Sequence, residues 1–173
     1  MVPEAFHDFF VATAGVAGAL IGLLFVALSV AQESGADRAP IQQVRAAAAM
    51  SALIDALLVS LFALLPDSDL STACVVLGIV GLSSTAGLAV VLHGARLHGH
   101  QARRQWLLLG GLLVLYVIQL VLATRVDSAI ADAGAVNDIG ILVIVFFAIG
   151  IARAWELVDA PETGLIGTLR TRR

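Results

Sequence analysis

Five long apolar stretches constrain this chain more than any other feature. A helix needs about 20 largely apolar residues to cross the hydrocarbon core of a bilayer. Phe9 to Ala31 supplies the first stretch, broken only by Thr13 and Ser29. Ala46 to Leu65 supplies the second and contains Asp55; Leu70 to Leu92 supplies the third; Trp106 to Ala123 supplies the fourth and contains Gln119. The fifth is shorter. Ile139 to Ala152 is an unbroken apolar run of 14 residues, and it spans only if Val136 to Trp155 is counted. Arg153 is then expected to snorkel toward the headgroups, with Trp155 in the aromatic belt.

Composition agrees with a lipid solvent. The chain of 173 residues is 60% apolar and 13% charged, against roughly 45–50% and about 25% in soluble domains. The expected fold is therefore all-α: a polytopic membrane bundle of five transmembrane helices, with spans at about 8–31, 44–65, 70–92, 105–124 and 136–157, then a polar tail over 159–173. Pro66-Asp67-Ser68-Asp69 leaves room only for a tight turn, so the second and third spans form an antiparallel hairpin. The opening residues are acidic and lack the basic segment of a secretory signal, so the first stretch is expected to be a retained helix.

Orientation follows from the arginines, because cytoplasmic flanks carry an excess of basic residues. All ten basic residues are arginine, and a chain rich in Ala, Val, Leu and Gly with no lysine points to a GC-rich bacterial genome. With the N-terminus outside and the C-terminus in the cytoplasm, nine arginines fall inside (Arg38, Arg45, Arg96, Arg103, Arg104, Arg153, Arg170, Arg172, Arg173) and only Arg125 outside. Seven acids, among them Asp67, Asp69, Asp127 and Asp138, fall on the outer side, which carries about −6 against +4 inside. These acids are read mainly as solvated loop charges, with a cation antechamber as the alternative. Asp8 opens the first helix as a cap or dipole partner. Gln119 and Arg125 are read as structural pairing on the outer half of the fourth helix.

Several functions are excluded. The connectors are too short for a soluble catalytic domain. The chain has no phosphate-cradling glycine loop, no His-Glu-x-x-His and no Gly-x-Ser-x-Gly. No basic reading face supports nucleic-acid binding. Cys74 is the single cysteine, which removes disulfides and multi-cysteine metal sites. There is no internal repeat of the kind that builds many secondary transporters. We expect no enzyme activity, no cofactor and no nucleic-acid partner.

Asp55 is the residue most in need of explanation. An ionised side chain at the centre of a span costs roughly 2.5–3.5 kcal/mol or more. One reading is a proton or cation site facing a pore or the bundle interior. The other is a hydrogen-bonded lock between helices, with Ser51 one turn earlier and Ser83, Ser84 and Thr85 on the third span as candidate partners. Small residues form a second pattern. Gly15, Gly18 and Gly22 line the first helix, and Gly78 and Gly81 the third. Such spacing lets helix backbones approach closely, either within one subunit or at a subunit interface. His93, His98 and His100 lie in one connector, where three imidazoles without a fourth ligand fall short of a structural zinc set. We therefore expect no metal. Arg103 and Arg104 beside them suit anionic headgroups.

The stretch His7-Asp8-Phe9-Phe10 through Ala14-Gly15-Val16-Ala17-Gly18-Ala19-Leu20-Ile21-Gly22-Leu23-Leu24-Phe25-Val26-Ala27-Leu28-Ser29 resembles small multi-helix membrane proteins of unassigned function from GC-rich bacteria. The resemblance implies a multi-pass protein of the bacterial inner membrane and carries over no catalytic residue. The expectation is a small homo-oligomeric channel or ion-transport protein, with Asp55, Ser51, Ser83 and Ser84 at the ion or proton site. The alternative is a non-conducting modulator that packs against a larger membrane complex. An enzyme built on the histidines ranks third. The partners expected are the lipid bilayer, further copies of the chain, or that membrane complex.

Overall fold

A computed structural model describes residues 3–33, 40–66, 69–94, 100–126 and 133–158. All the regular structure in them is helical. A short 3₁₀ turn, Glu4–Phe6, leads into α1 (His7–Glu33), followed by α2 (Pro40–Leu64), α3 (Leu70–Gly94), α4 (His100–Val126) and α5 (Ala133–Val158). Each of the five helices contains a window long and apolar enough to cross a membrane. They run past the apolar stretches because helical hydrogen bonding continues into the polar flanks, where it costs nothing. The fifth helix is as long as the others, and its apolar window covers Gly134–Trp155. The polar tail over 159–173 lies outside the described residues.

Neighbouring helices pack antiparallel. Helices α2, α3, α4 and α5 close a ring in which each touches the next, and α1 lies outside it against α2, with slight contact to α5. Half of the apolar window of α2 is buried, against 22% of that of α1, which marks α2 as the central element. Its sequence explains why. Ala46, Ala48, Ala49, Ala52 and Ala56 are all buried, and small side chains let three helices approach one backbone. Gly150 of α5 serves the same purpose from the other side: a β-carbon there would lie 2.8 Å from Leu53.

The ring core runs from Val44, Val59 and Leu70 to Leu112, Ile139 and Phe146. A smaller cluster of Leu24, Ala49 and Leu53 fixes α1 to α2. Polar links reinforce the packing. Thr13 and Ser60 join their hydroxyls at 2.9 Å between α1 and α2. Ser71 donates to the Ala123 carbonyl at 2.9 Å between α3 and α4.

Two expectations about helix ends change. Arg153 does not snorkel. It is 1% exposed and turns inward, donating from Nη1 to Gln105 Oε1 at 2.7 Å. A buried guanidinium needs acceptors, and Gln105 at the start of α4 supplies one within reach. Trp155, by contrast, is exposed. Asp8 is not a cap, because the 3₁₀ turn runs directly into α1. It sits exposed in the first turn, where a negative charge favours the helix dipole.

The true cap is Asp69. Its Oδ1 accepts from the Ser71 N–H at 3.1 Å, its Oδ2 accepts from the Thr72 hydroxyl, and its carbonyl accepts from the Ala73 N–H at 3.1 Å. These bonds hold its carboxyl below the ordinary carboxylate value, the Thr72 hydroxyl contributing most. Asp69 therefore starts α3 rather than waiting for a cation. Asp67, Asp127 and Asp132 lie outside the described residues.

Candidate functional site

The helix order decides what surrounds Asp55. Being on α2, it is 4% exposed. Its partner comes from α4: Gln119 Nε2 donates to Asp55 Oδ1 at 3.3 Å and to the Cys74 carbonyl of α3 at 3.3 Å. One amide thus ties three helices together. The second carboxyl oxygen, Oδ2, is buried and has no hydrogen-bond partner among the described residues; nor has Gln119 Oε1.

The expected serine partners stand elsewhere. Ser51 bonds the Tyr116 hydroxyl at 2.8 Å, not the carboxyl. Ser83 is exposed and donates to the Val80 carbonyl of its own helix at 2.8 Å. Thr85 is 1% exposed, and its hydroxyl has no hydrogen-bond partner among the described residues. The reason is register. Asp55 lies nine residues before the end of α2, and nine residues on from the start of α3 is Ile79. Ser83 to Thr85 therefore lie about 6–9 Å further along the axis at 1.5 Å per residue.

Asp55, Ser51 and Ser84 nevertheless share a space. They line a groove of about 360 Å³ between α2 and α3, whose floor includes Tyr116. Ile54 (40% exposed) and Val80 (58% exposed) stand at its rim, so the groove opens onto the apolar flank of the bundle. Ser83 is not part of it. Among the described residues, no basic side chain lines the groove.

Tyr116 reaches this floor because Gly81 lets it pass. A β-carbon at Gly81 would lie 2.1 Å from Tyr116 Cε1, and one at Gly78 would lie 2.9 Å from Leu120. Phe146 backs the tyrosine ring with centroids 5.1 Å apart. Gly78 and Gly81 of α3 are thus contacts within the subunit. The glycines of α1 are not. A β-carbon at Gly15, Gly18 or Gly22 would meet nothing within 4 Å.

The sequence alone assigns Gln119 only a structural pairing on the fourth helix and does not single out Tyr116. Gln119 and Tyr116 both sit in the fourth apolar stretch, and only their polarity at that depth marks them. Of the connector histidines, His93 meets Trp106 edge-on at 6.5 Å. His98 and the side chain of His100 lie outside the described residues.

No protein-family model matches the chain, and no curated protein or solved structure matches it either.

Proposed function

We propose that the chain is a small ion-transport protein of the bacterial inner membrane, assembled from several copies, in which Asp55 is the proton or cation site. The observation that supports this most directly is the Asp55 carboxyl itself. Its Oδ1 is held by Gln119, while Oδ2 lacks a hydrogen-bond partner among the described residues and the residue lines a groove. Each unmet buried polar group costs free energy, and a carboxyl oxygen more than a neutral one, so Oδ2 is where a further partner would stabilise most. An acid left half-satisfied beside an open space has a place for a proton or cation to come and go. The arginine distribution favours an outer N-terminus and a cytoplasmic C-terminus.

The test is ion flux into sealed proteoliposomes, comparing the wild type with Asp55→Asn. The amide keeps the volume and an acceptor for Gln119 but removes the titratable charge. We expect proton or cation flux from the wild type and its loss in a folded variant. Equal flux from both, or none from either across a range of pH and voltage, would overturn the reading.

A second reading, a modulator that packs against a larger membrane complex, is favoured by α1. Its Gly15, Gly18 and Gly22 face open space in the single subunit, and small-residue faces of this kind accept another helix. Site-directed cross-linking from Gly18→Cys in native membranes separates the readings: products that are multiples of the chain support self-association, and a product with another protein supports the modulator.

A further inference from the structure

We propose that the groove between α2 and α3 is a binding site for an organic cation with an apolar body, which reaches it from the bilayer and donates an N–H to Asp55 Oδ2. The inference rests on the reading of Asp55 as a proton or cation site and specifies its ligand.

Three observations carry it. First, the mouth of the groove is apolar and faces sideways. Ile54 and Val80 line it and are both exposed at mid-helix, where a spanning helix meets lipid, so a molecule dissolved in the membrane would arrive without crossing water. Second, the volume is wrong for a bare ion. About 360 Å³ is the size of a small-molecule site, which lies at about 300–1,000 Å³ and is mostly apolar with a few placed polar groups. Met50, Leu58 and Leu77 supply apolar wall.

Third, the oxygen inventory suits one or two N–H donors and not a metal ion. Calcium takes about 6–8 oxygens and magnesium a near-ideal octahedron. Here Asp55 Oδ2 is an acceptor with no partner among the described residues, Ser84 adds a hydroxyl elsewhere on the lining, and Ser51 and Tyr116 are bonded to each other. The charge is complementary: one buried acid and no basic residue line the space. Asp55 lines the groove, and its Oδ2 is buried with no partner among the described residues; a cation seated there would draw the carboxyl into a charge-assisted hydrogen bond, which is strong in such a medium.

Ethidium, an apolar aromatic cation with N–H donors, is a suitable probe. Its fluorescence anisotropy is followed as it is titrated against the full chain in phosphatidylcholine nanodiscs, with empty nanodiscs subtracted. We expect saturable binding that weakens about tenfold or more in Asp55→Asn, the loss of one hydrogen bond to a charged group. The neutral probe N-phenylnaphthylamine should bind both proteins alike. Val80→Trp, which fills the rim and leaves the carboxyl in place, should weaken both probes. If Asp55→Asn loses the neutral probe too, the groove has collapsed and the Val80→Trp result decides. Absent ethidium binding, or binding indifferent to both substitutions, would overturn the proposal. Flux measured without ethidium separates the two ideas. Asp55-dependent flux with no ethidium binding sinks the organic cation alone. Asp55-dependent ethidium binding with no flux sinks transport and leaves the site.

Discussion

Replacing Gly81 by alanine places a methyl carbon 2.1 Å from Cε1 and 2.3 Å from Cζ of Tyr116. Ordinary contact begins near 3.4 Å, so the ring or the helix must retreat by about 1.3 Å. The ring is ill placed to do so. Phe146 stands behind it and Ser51 holds its hydroxyl at 2.8 Å. Overpacking of this kind costs about 1–3 kcal/mol. Losing the Ser51 bond adds about 0.6 kcal/mol, the average for a hydrogen bond between membrane helices. The total is about 1.6–3.6 kcal/mol, or roughly 15- to 400-fold in the folding equilibrium. The assay is reversible unfolding in mixed micelles followed by circular dichroism. Two further variants isolate the cause. Tyr116→Phe keeps the ring and should cost only the hydrogen-bond share. In a Tyr116→Ala background, Gly81→Ala should be nearly neutral, because the obstacle is gone. A cost below about 0.5 kcal/mol in the wild type, the level of an ordinary surface change, would refute the claim that Tyr116 threads past Gly81.

Other substitutions test the remaining contacts. Gly150→Ala should cost less than Gly81→Ala, about 1 kcal/mol by the same unfolding assay, because it meets Leu53 Cγ and Cδ2 at 2.8 Å rather than a backed ring at 2.1 Å. Gly18→Ala, with nothing within 4 Å, should leave subunit stability within about 0.5 kcal/mol while weakening any helix contact made through that face, read by energy transfer between labelled chains. Gln105→Leu should cost about 1–3 kcal/mol, since it removes the acceptor of a buried guanidinium at the α4–α5 contact. Asp69 has a lowered carboxyl pKa in the folded chain, so its contribution is fully present above its ordinary value of 3.8 and is lost as pH falls through the lower folded value. Amide protection at Ser71 should therefore drop in Asp69→Ala at neutral pH, and the difference from wild type should close in strong acid.

The spans were readable because lipid imposes one demand on every residue of a crossing helix, and hydropathy measures that demand directly. Asp55 was readable for the same reason: a carboxyl in such a stretch violates the demand. Its partner was not. Pairing Asp55 with Ser83 or Ser84 assumes that polar residues on adjacent helices meet, yet the turn after α2 sets a register that leaves them axially apart. Gln119 lies 64 residues away along the chain, and it becomes a neighbour only when α4 closes the ring against α3. The signal that remained was chemical: two lone polar side chains deep in separate apolar stretches tend to find each other. Arg153 misled in the opposite way. Its position near the end of an apolar run fits a snorkelling cation, and nothing local says that Gln105 waits beside it on α4.

The glycines show why one motif had two fates. Spacing of small residues states that a backbone can be approached; it does not name the approaching helix. On α3 the approach is made by Tyr116 and Leu120 from within the ring. Helix α1 contributes no such ring position, since it packs mainly on α2, so its Gly15 face turns outward. The same topology places Asp55 on the helix with the most neighbours and still leaves it a groove, because Tyr116 fills the floor between α2 and α3 without reaching their outer edge. Contact through α1 and ligand access between α2 and α3 therefore use separate surfaces. An assembly joined through α1 would leave the mouth at Ile54 and Val80 facing lipid, and a substitution at Gly18 would change association without changing occupancy of the groove. If occupancy falls with Gly18→Leu at fixed protein concentration, the two surfaces are coupled and that separation is wrong.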